Sequence, residues 1–305
     1  MNTHAKLTLL FSVAGLIAVL AGCGGGGSDS PTSPPVTPAA TTQGKFIDAA
    51  VGNLDYTCGT APNQTSGTTD GLGVFLYVPG TPAPTCTFSV GGVILGSAPA
   101  GNLLTPYSLV PGSTPGTPDP TVTNIARFLQ SLDSDGNPAN GVAIADATRT
   151  ALAGKTLSFS ATNFDAAFAT AVAGTSLAGT TLVSAGNAMN ALDLTLVGLY
   201  NGAYQCTYSI TVNNVATVVG NVSISIGTDG TVTGSGFALN SPNTTFTVNG
   251  TVLASGTSNI AGGGTSNGAT FSGTFTSDGT VANTNGSGHW LDLQNNSGTW
   301  SCRHN

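Results

Sequence analysis

Tyr204-Gln205-Cys206-Thr207-Tyr208-Ser209-Ile210 is the stretch of sequence that decides the fold. Its apolar and polar residues alternate, which is the pattern of a β-strand with one face in a core. A second such stretch, Gly298-Thr299-Trp300-Ser301-Cys302, lies near the end of the chain, and both cysteines are on the apolar face. A disulfide between Cys206 and Cys302 requires Cα atoms within about 7 Å, so it would join the first strand of this region to the last.

The chain from residue 198 to 305 is divided by turn residues into about eight short strands. Apolar residues recur at every second position in Val222-Ser-Ile224-Ser-Ile226, with serine at the alternate places. Strands that follow each other as hairpins form an antiparallel meander, and pairing of the first with the last closes it. We therefore predict an up-and-down β-barrel or a closed β-sandwich. The predicted turns fall at residues 213–214, 228–230, 240–243, 267–268, 277–279 and 295–298.

Residues 44–197 are predicted to form an α+β module, which makes the whole chain mainly β with a few helices. Apolar residues at helical spacing predict a helix over 122–132, and Ser184 is the predicted N-cap of a helix over 185–196. Gly91-Gly92 predicts a tight hairpin between two strands. The strand patterns of the module cover residues 46–51, 54–58, 73–78, 87–90 and 93–95.

The N-terminus carries the pattern of an export signal. One lysine, Lys6, precedes an apolar run over residues 7–20, which is too short to span a bilayer comfortably. The run ends in Leu20-Ala21-Gly22-Cys23, which resembles the lipobox of bacterial lipoproteins. The resemblance implies that residues 1–22 are a signal peptide and that Cys23 becomes an acylated N-terminus, a stable membrane anchor.

Residues 23–43 are rich in glycine, proline and serine and have no apolar period, so we expect a tether between the anchor and the folded part. In lipoprotein families the residue after the modified cysteine influences sorting, and Gly24 is not the aspartate of inner-membrane retention. The resemblance therefore implies a bacterial cell envelope protein, lipid-anchored in the outer membrane.

The cysteine count agrees with export. Five cysteines minus Cys23 leave four, and an exported protein is in a compartment where disulfides form. Four cysteines allow three pairings. We predict Cys58 with Cys86 and Cys206 with Cys302, because each pair then lies within one predicted domain.

The composition argues against nucleic acid as a partner. The net charge is -7, and the chain has six lysines and arginines in 305 residues. A surface that binds phosphates needs clustered basic side chains to displace counterions. The anchor predicts a membrane partner, and a glycan or a protein is the expected ligand.

Residues 46–151 contain, in order, Phe46-Ile-Asp-Ala-Ala-Val51, Thr69-Asp70-Gly71, Phe88-Ser-Val-Gly-Gly-Val-Ile-Leu-Gly96 and Asn124-Ile-Ala-Arg-Phe-Leu-Gln-Ser-Leu-Asp-Ser-Asp-Gly-Asn137. This order resembles a module of uncharacterised bacterial surface lipoproteins, some of which are labelled adhesins. The resemblance covers about a third of the chain, and no catalytic residue comes with it.

Asp133-Ser-Asp135-Gly-Asn137 follows the predicted helix and resembles the start of a calcium-binding loop, where oxygen ligands replace the water shell of the ion. The pattern departs from an EF-hand, because Pro138 and Ile144 occupy the places of its glycine and glutamate. The alternative is a turn in which the Asp and Asn side chains bind local backbone groups. Asp133, Asp135 and Asn137 are the candidate Ca²⁺ ligands; no other cofactor is expected.

Two functions remain open. The first is a non-catalytic surface module, either adhesin-like or structural, whose barrel mouth carries Tyr, Trp and Asn. The second is a secreted hydrolase with an aspartate-based site, because the chain contains no glutamate and no Gly-x-Ser-x-Gly motif accompanies its histidines. The hydrolase would bring together carboxylates from Asp48, Asp55, Asp70 and Asp165, with or without His289.

Overall fold

Short strands and four helices build the module that precedes the barrel. The structure is a computed structural model and describes residues 39–212, 215–263 and 268–305. The helices are α1 (Pro120–Ser131), α2 (Asp146–Ala151), α3 (Phe164–Val172) and α4 (Ala185–Gly198), and 3₁₀ turns cover Pro106–Leu109 and Pro138–Asn140. The strands are β1 (Thr42–Phe46), β2 (Val51–Gly52), β3 (Asp55–Cys58), β4 (Thr65–Thr68), β5 (Val74–Tyr77), β6 (Thr85–Val90), β7 (Val93–Pro99), β8 (Leu103–Leu104) and β9 (Val142–Ala143).

The strands of the module pair in three small sheets. The orders are β5-β1-β8 and β4-β3-β6-β7, and β2 pairs with β9. The Gly91-Gly92 hairpin is present between β6 and β7. Cys58 of β3 lies directly opposite Cys86 of β6, and the predicted disulfide joins them.

Helix α1 begins where the sequence supplies a cap. Asp119 Oδ1 accepts hydrogen bonds from the backbone N–H groups of Thr121 (2.8 Å) and Val122 (3.2 Å). Pro120 occupies the first helical position, where a missing N–H costs nothing. The apolar face of α1 is fully buried in the module core through Ile125, Phe128 and Leu129. The helix predicted over 122–132 is confirmed.

Helix α4 is confirmed as well, with Ser184 as its cap. The Ser184 Oγ accepts a hydrogen bond from the backbone N–H of Asn187 (3.2 Å). The helix packs against α1 with Ala188 and Leu192, which are fully buried. The pair α1–α4 forms one wall of the module.

The predicted strand over residues 46–51 is wrong in its central part. Strand β1 ends at Phe46, and the chain turns through residues 47–50, where Ala49 has a φ of +73°. Asp48 in this turn points into the core and is fully buried. In an alternating pattern, an aspartate between two apolar residues is typical of an outer strand face, so the sequence pattern could not reveal the turn.

The C-terminal part of the chain is a closed antiparallel barrel. Its order is β10-β11-β12-β13-β14-β15-β16-β17, which confirms the predicted meander and selects the barrel over the sandwich. Strands β10 and β17 close it, with Cys206 opposite Cys302 and a disulfide between them. The strands are β10 (Gly202–Val212), β11 (Val215–Ile226), β12 (Thr231–Ala238), β13 (Ser241–Val252), β14 (Thr257–Gly263), β15 (Ala269–Thr276), β16 (Asn285–Asp292) and β17 (Ser297–His304), with a 3₁₀ turn at Val281–Asn283 before β16.

Aromatic rings fill the barrel because glycines face them. A Cβ at Gly273 would lie 2.5 Å from Trp300 Cζ2, and one at Gly288 would lie 2.8 Å from Trp300 Nε1, so neither position admits a larger residue without movement. An internal space of about 20 Å³ in the barrel is lined by apolar side chains such as Ile224 and Phe271. This volume holds about one water molecule at most, and the buried aromatic and aliphatic side chains around it form the hydrophobic core of the barrel.

The two ends of the barrel differ. The proximal end contains the turns β11–β12 and β13–β14 and packs on the module: Ala254 of the second turn shares a buried cluster with Leu196 and Val197 of α4. Asn201 donates a hydrogen bond to the carbonyl of Ile226 (2.9 Å), and the Tyr204 hydroxyl donates to the carbonyl of Tyr200 (2.6 Å). Residues 39–305 accordingly form one compact unit.

Candidate functional site at the distal end of the barrel

The distal end of the barrel is formed by the ends of β10, β12, β14 and β16 and the starts of the strands that follow them. Half of the ten exposed large hydrophobic side chains found in the described residues lie here. We call these five the distal apolar rim; they are Val215 (62% exposed), Val218 (43%), Leu239 (48%), Leu291 (49%) and Leu293 (77%).

The rim follows the closing seam of the barrel. Leu291 and Leu293 lie at the end of β16, and β17 and β10 separate them from Val215 and Val218 at the start of β11. Leu239 continues the arc, because its backbone N–H donates to the carbonyl of Val219 in β11 (2.8 Å). The exposed aliphatic residues are therefore distributed along one side of the distal end, at the end of β16, on β11 and at the end of β12.

An aromatic cluster lies directly below the rim. The Tyr208 ring contacts Phe246, Phe271 and Trp290 edge-on, with ring centroids 5.7 to 6.2 Å apart. Trp290 Nε1 donates to the carbonyl of Ser209 (3.0 Å), which fixes the indole across the seam. Burial raises the pKa of Tyr208 above its ordinary value, as expected for a phenol enclosed by rings. The rim thus rests on a rigid base.

The distal end carries almost no charge. The segments 209–219, 237–247, 262–270 and 290–299 contain a single charged residue, Asp292. Its carboxylate accepts hydrogen bonds from the backbone N–H groups of Gln294 (2.9 Å) and Asn296 (2.8 Å) within its own turn. Such a surface binds through apolar contact and neutral hydrogen bonds, and ion pairing contributes little.

The sequence predicted Tyr, Trp and Asn at the barrel mouth, whereas Tyr208 and Trp290 lie in the aromatic cluster below the rim, and the rim itself was not predicted. Val215, Val218 and Leu293 break the alternation of apolar and polar residues along the strands. They lie close to predicted turns, where polar residues are usual. The sequence signal that could have identified them is an apolar residue close to a turn. Turns lie at the surface, and the structure leaves these side chains exposed.

The four aspartates considered for a hydrolase have four separate sets of partners. Asp48 binds Gln130 in the core, and Asp55 pairs with Arg149 and accepts from the N–H of Gly91 (2.8 Å). Asp70 accepts from Leu72 and Val74 in a turn, and Asp165 pairs with Arg127 at 2.6 Å. His289 is exposed on β16, where its strand position faces away from the barrel core. The structure gives each carboxylate a local structural role.

The candidate calcium ligands lie in the turn after α1, where Asp133 is half-buried and Asp135 and Asn137 are exposed. Asp133 Oδ1 accepts from the N–H of Ala143, and Asp135 accepts from the N–H of Asn137 and from Asn140 Nδ2, each at 2.9 Å. Burial is the main cause that raises the pKa of Asp133, while the Asn140 bond is the main cause that lowers the pKa of Asp135. Local donors therefore use three of the four carboxylate oxygens, as in the turn alternative.

No group of three or more His, Cys, Asp or Glu side chains suited to a metal ion occurs in the described ranges. The module surface does carry an open groove of about 400 Å³, lined by residues 59–63, 78–80, 82, 84 and 85. Its walls include Pro62, Pro79 and Pro82, and none of its lining side chains titrates.

The predicted lipobox and Cys23 lie outside the described residues. Within residues 39–212, 215–263 and 268–305, no helix combines the length and apolar character that crossing a bilayer requires. Comparisons with protein-family models, with curated proteins and with solved structures find no match for this chain.

Proposed function

We propose that this chain is an exported, lipid-anchored, non-catalytic binding module of the bacterial cell envelope, adhesin-like in type. The observation that carries the proposal is the distal apolar rim, an apolar surface with a single charged residue, Asp292, near it, at the end of the barrel opposite the module. The ligand would be a protein or glycan surface that presents apolar groups.

The position of the rim supports this assignment. The described chain enters through β1 in the module, and the module covers the proximal end of the barrel. A tether that starts at Cys23 would therefore hold the module toward the membrane and leave the distal end free. Large exposed apolar patches with a polar surround are typical of interaction sites in soluble domains.

The disulfides support the envelope location. Both bonds join strands that pair directly, Cys58 with Cys86 and Cys206 with Cys302, and all four sulfur-bearing residues are buried. Disulfides of this structural kind persist in oxidising compartments. The lipobox-like sequence, residues 20–23, supplies the anchor in this proposal.

Binding at the rim is tested with soluble protein of residues 39–305 on arrays of glycans and of purified surface proteins. We expect Leu291→Ser combined with Leu293→Ser to weaken binding about tenfold or more, since each lost apolar contact removes about 1 kcal/mol or more. Leu72→Ser combined with Ile94→Ser is the matched control, because these module residues are 65% and 61% exposed. Equal losses in both double variants would contradict the assignment of the rim.

The anchor is tested by labelling. We expect cells that express the full chain to incorporate radiolabelled palmitate into it, and cells that express Cys23→Ser to incorporate none, because that thiol carries the predicted thioether-linked lipid. Unchanged labelling of Cys23→Ser would remove the anchor from the proposal and leave the rim unaffected.

A further inference from the structure

Asp48 is a fully buried acid with an incomplete set of hydrogen bonds. It lies in the turn between β1 and β2, with 0% of its surface exposed. Asp48 Oδ1 accepts a hydrogen bond from Gln130 Nε2 (3.1 Å), while Asp48 Oδ2 is buried and has no partner. A buried carboxylate in this situation is costly, because an ionised group out of water needs several donors or a counter-charge.

Its partner, Gln130, also has an acceptor oxygen that receives no hydrogen bond. Gln130 uses its second amide hydrogen on the carbonyl of Ala188 in α4 (3.0 Å), so both donors of the side chain are occupied. Gln130 Oε1, however, is buried and without a partner. Two bonded side chains thus leave two acceptor oxygens and no donor, a combination that native cores avoid. One added proton supplies the donor that is missing.

We propose that Asp48 is held as a neutral carboxylic acid whose Oδ2–H donates to Gln130 Oε1, so that the docking of α4 on α1 and on the β1–β2 turn depends on one proton. The acid and the amide then form a ring of two hydrogen bonds. On deprotonation, the proton passes to solvent, the O–H···O bond is lost, and a negative charge remains in the core.

The surroundings of Asp48 favour the neutral form. Burial is the largest cause that raises its pKa well above the ordinary value, and the Gln130 bond lowers it in part. Charged groups on the same elements have other neighbours: Lys45 of β1 is exposed, and Arg127 of α1 pairs with Asp165. Asp193 of α4 is a second acid whose pKa burial raises. No cation offsets an ionised Asp48 among the contacts of the described residues.

The sign of the pH dependence follows from linkage. Because the folded state keeps the proton when the unfolded chain has lost it, the contribution of Asp48 to stability is complete below the ordinary pKa of about 3.9. It decreases as the pH rises toward the raised pKa of the folded state. Within this window the opening equilibrium increases about tenfold per pH unit. Helix α4 is affected first, since Ala188 holds the Gln130 amide.

Asp48→Asn separates this proposal from a merely structural role. The asparagine cannot ionise, and its amide can donate to Gln130 Oε1 in place of the acid. Hydrogen exchange of the α4 amides gives the opening equilibrium of this helix in the full chain and in Asp48→Asn at each pH. We expect the opening equilibrium of the wild type to increase with pH relative to that of the variant. Asp193→Asn is the matched control and keeps the wild-type response. If the ratio of the α4 opening equilibrium in the wild type to that in Asp48→Asn does not change with pH, the proposal is overturned.

A second measurement does not depend on that variant. In a chain with Asp133→Asn and Asp193→Asn, Asp48 is the remaining aspartate of the described residues whose pKa is raised. We expect its infrared spectrum at neutral pH to keep the carbonyl band of a protonated carboxylic acid. If only carboxylate bands are seen, Asp48 is ionised and the proposal fails.

Discussion

At the scale of single residues, the pKa values of two aspartates are shifted in opposite directions. Asp48 is enclosed in the core, and burial raises its pKa, whereas Asp229 is in an exposed turn of the barrel, where Thr231 donates to it from its backbone (2.9 Å) and its hydroxyl (2.8 Å). These bonds lower the pKa of Asp229. The local donors, and not the residue type, determine the direction of each shift.

Asp229→Asn is expected to lower the thermal midpoint at neutral pH by a small amount. Because the pKa of Asp229 is lowered in the folded state, its contribution is present above the ordinary pKa and is lost as the pH falls through the lowered one. The difference from wild type should therefore shrink in acid. A difference that grows as the pH falls would show that the Thr231 bonds do not act through the charge.

Calcium distinguishes the two interpretations of the turn after α1. Since backbone and amide donors already bind Asp133 Oδ1 and both oxygens of Asp135, we expect millimolar Ca²⁺ to leave the thermal midpoint unchanged. The comparison uses Mg²⁺ at equal ionic strength as its control. A rise that is specific to Ca²⁺ and absent in Asp135→Asn would instead establish the ion site.

At the scale of elements, the sequence predicted what depends on local pattern. Helix α1 and the hairpin β6–β7 have strong signals: apolar residues at helical spacing in one, paired glycines between strands in the other. Strand β4, with the sequence Thr-Ser-Gly-Thr, has no apolar alternation and exists because β3 pairs with it. The distal apolar rim was missed for a related reason, since exposure depends on the neighbours in the fold.

The cap of α1 provides a test at this scale. Asp119→Ala removes the acceptor for two N–H groups, and we expect a loss of about 1 kcal/mol in the free energy of unfolding. Asp165→Ala is a suitable control because the Asp165 side chain is 70% exposed and its surface ion pair should contribute less. Urea unfolding compares the two variants; a larger loss for Asp165→Ala would contradict the capping argument.

At the scale of the whole molecule, the four paired cysteines connect sequence to architecture. The Cys206–Cys302 bond spans 96 residues and joins the first and last barrel strands, whereas Cys58–Cys86 spans 28 residues within one sheet of the module. The sequence favoured both pairings, because each pair lies within one predicted domain and in strand-like segments. The contact of α4 with the proximal end of the barrel was not predictable, because it depends on Leu196, Val197 and Ala254 meeting in space.

The two disulfides close chain loops of unequal length, which predicts that their removal lowers the free energy of unfolding by unequal amounts. In the chain-entropy model, replacing Cys206 and Cys302 with alanine should cost about 4.7 kcal/mol, and replacing Cys58 and Cys86 about 3.5 kcal/mol, because a longer loop restrains the unfolded chain more. Both tryptophans of the chain are in the barrel, so their fluorescence follows barrel unfolding while circular dichroism follows the whole chain. We expect the barrel variant to show the earlier fluorescence transition in urea. If the module variant is the less stable of the two, native packing around the bond outweighs loop entropy, and the closing disulfide is not the main constraint on the barrel.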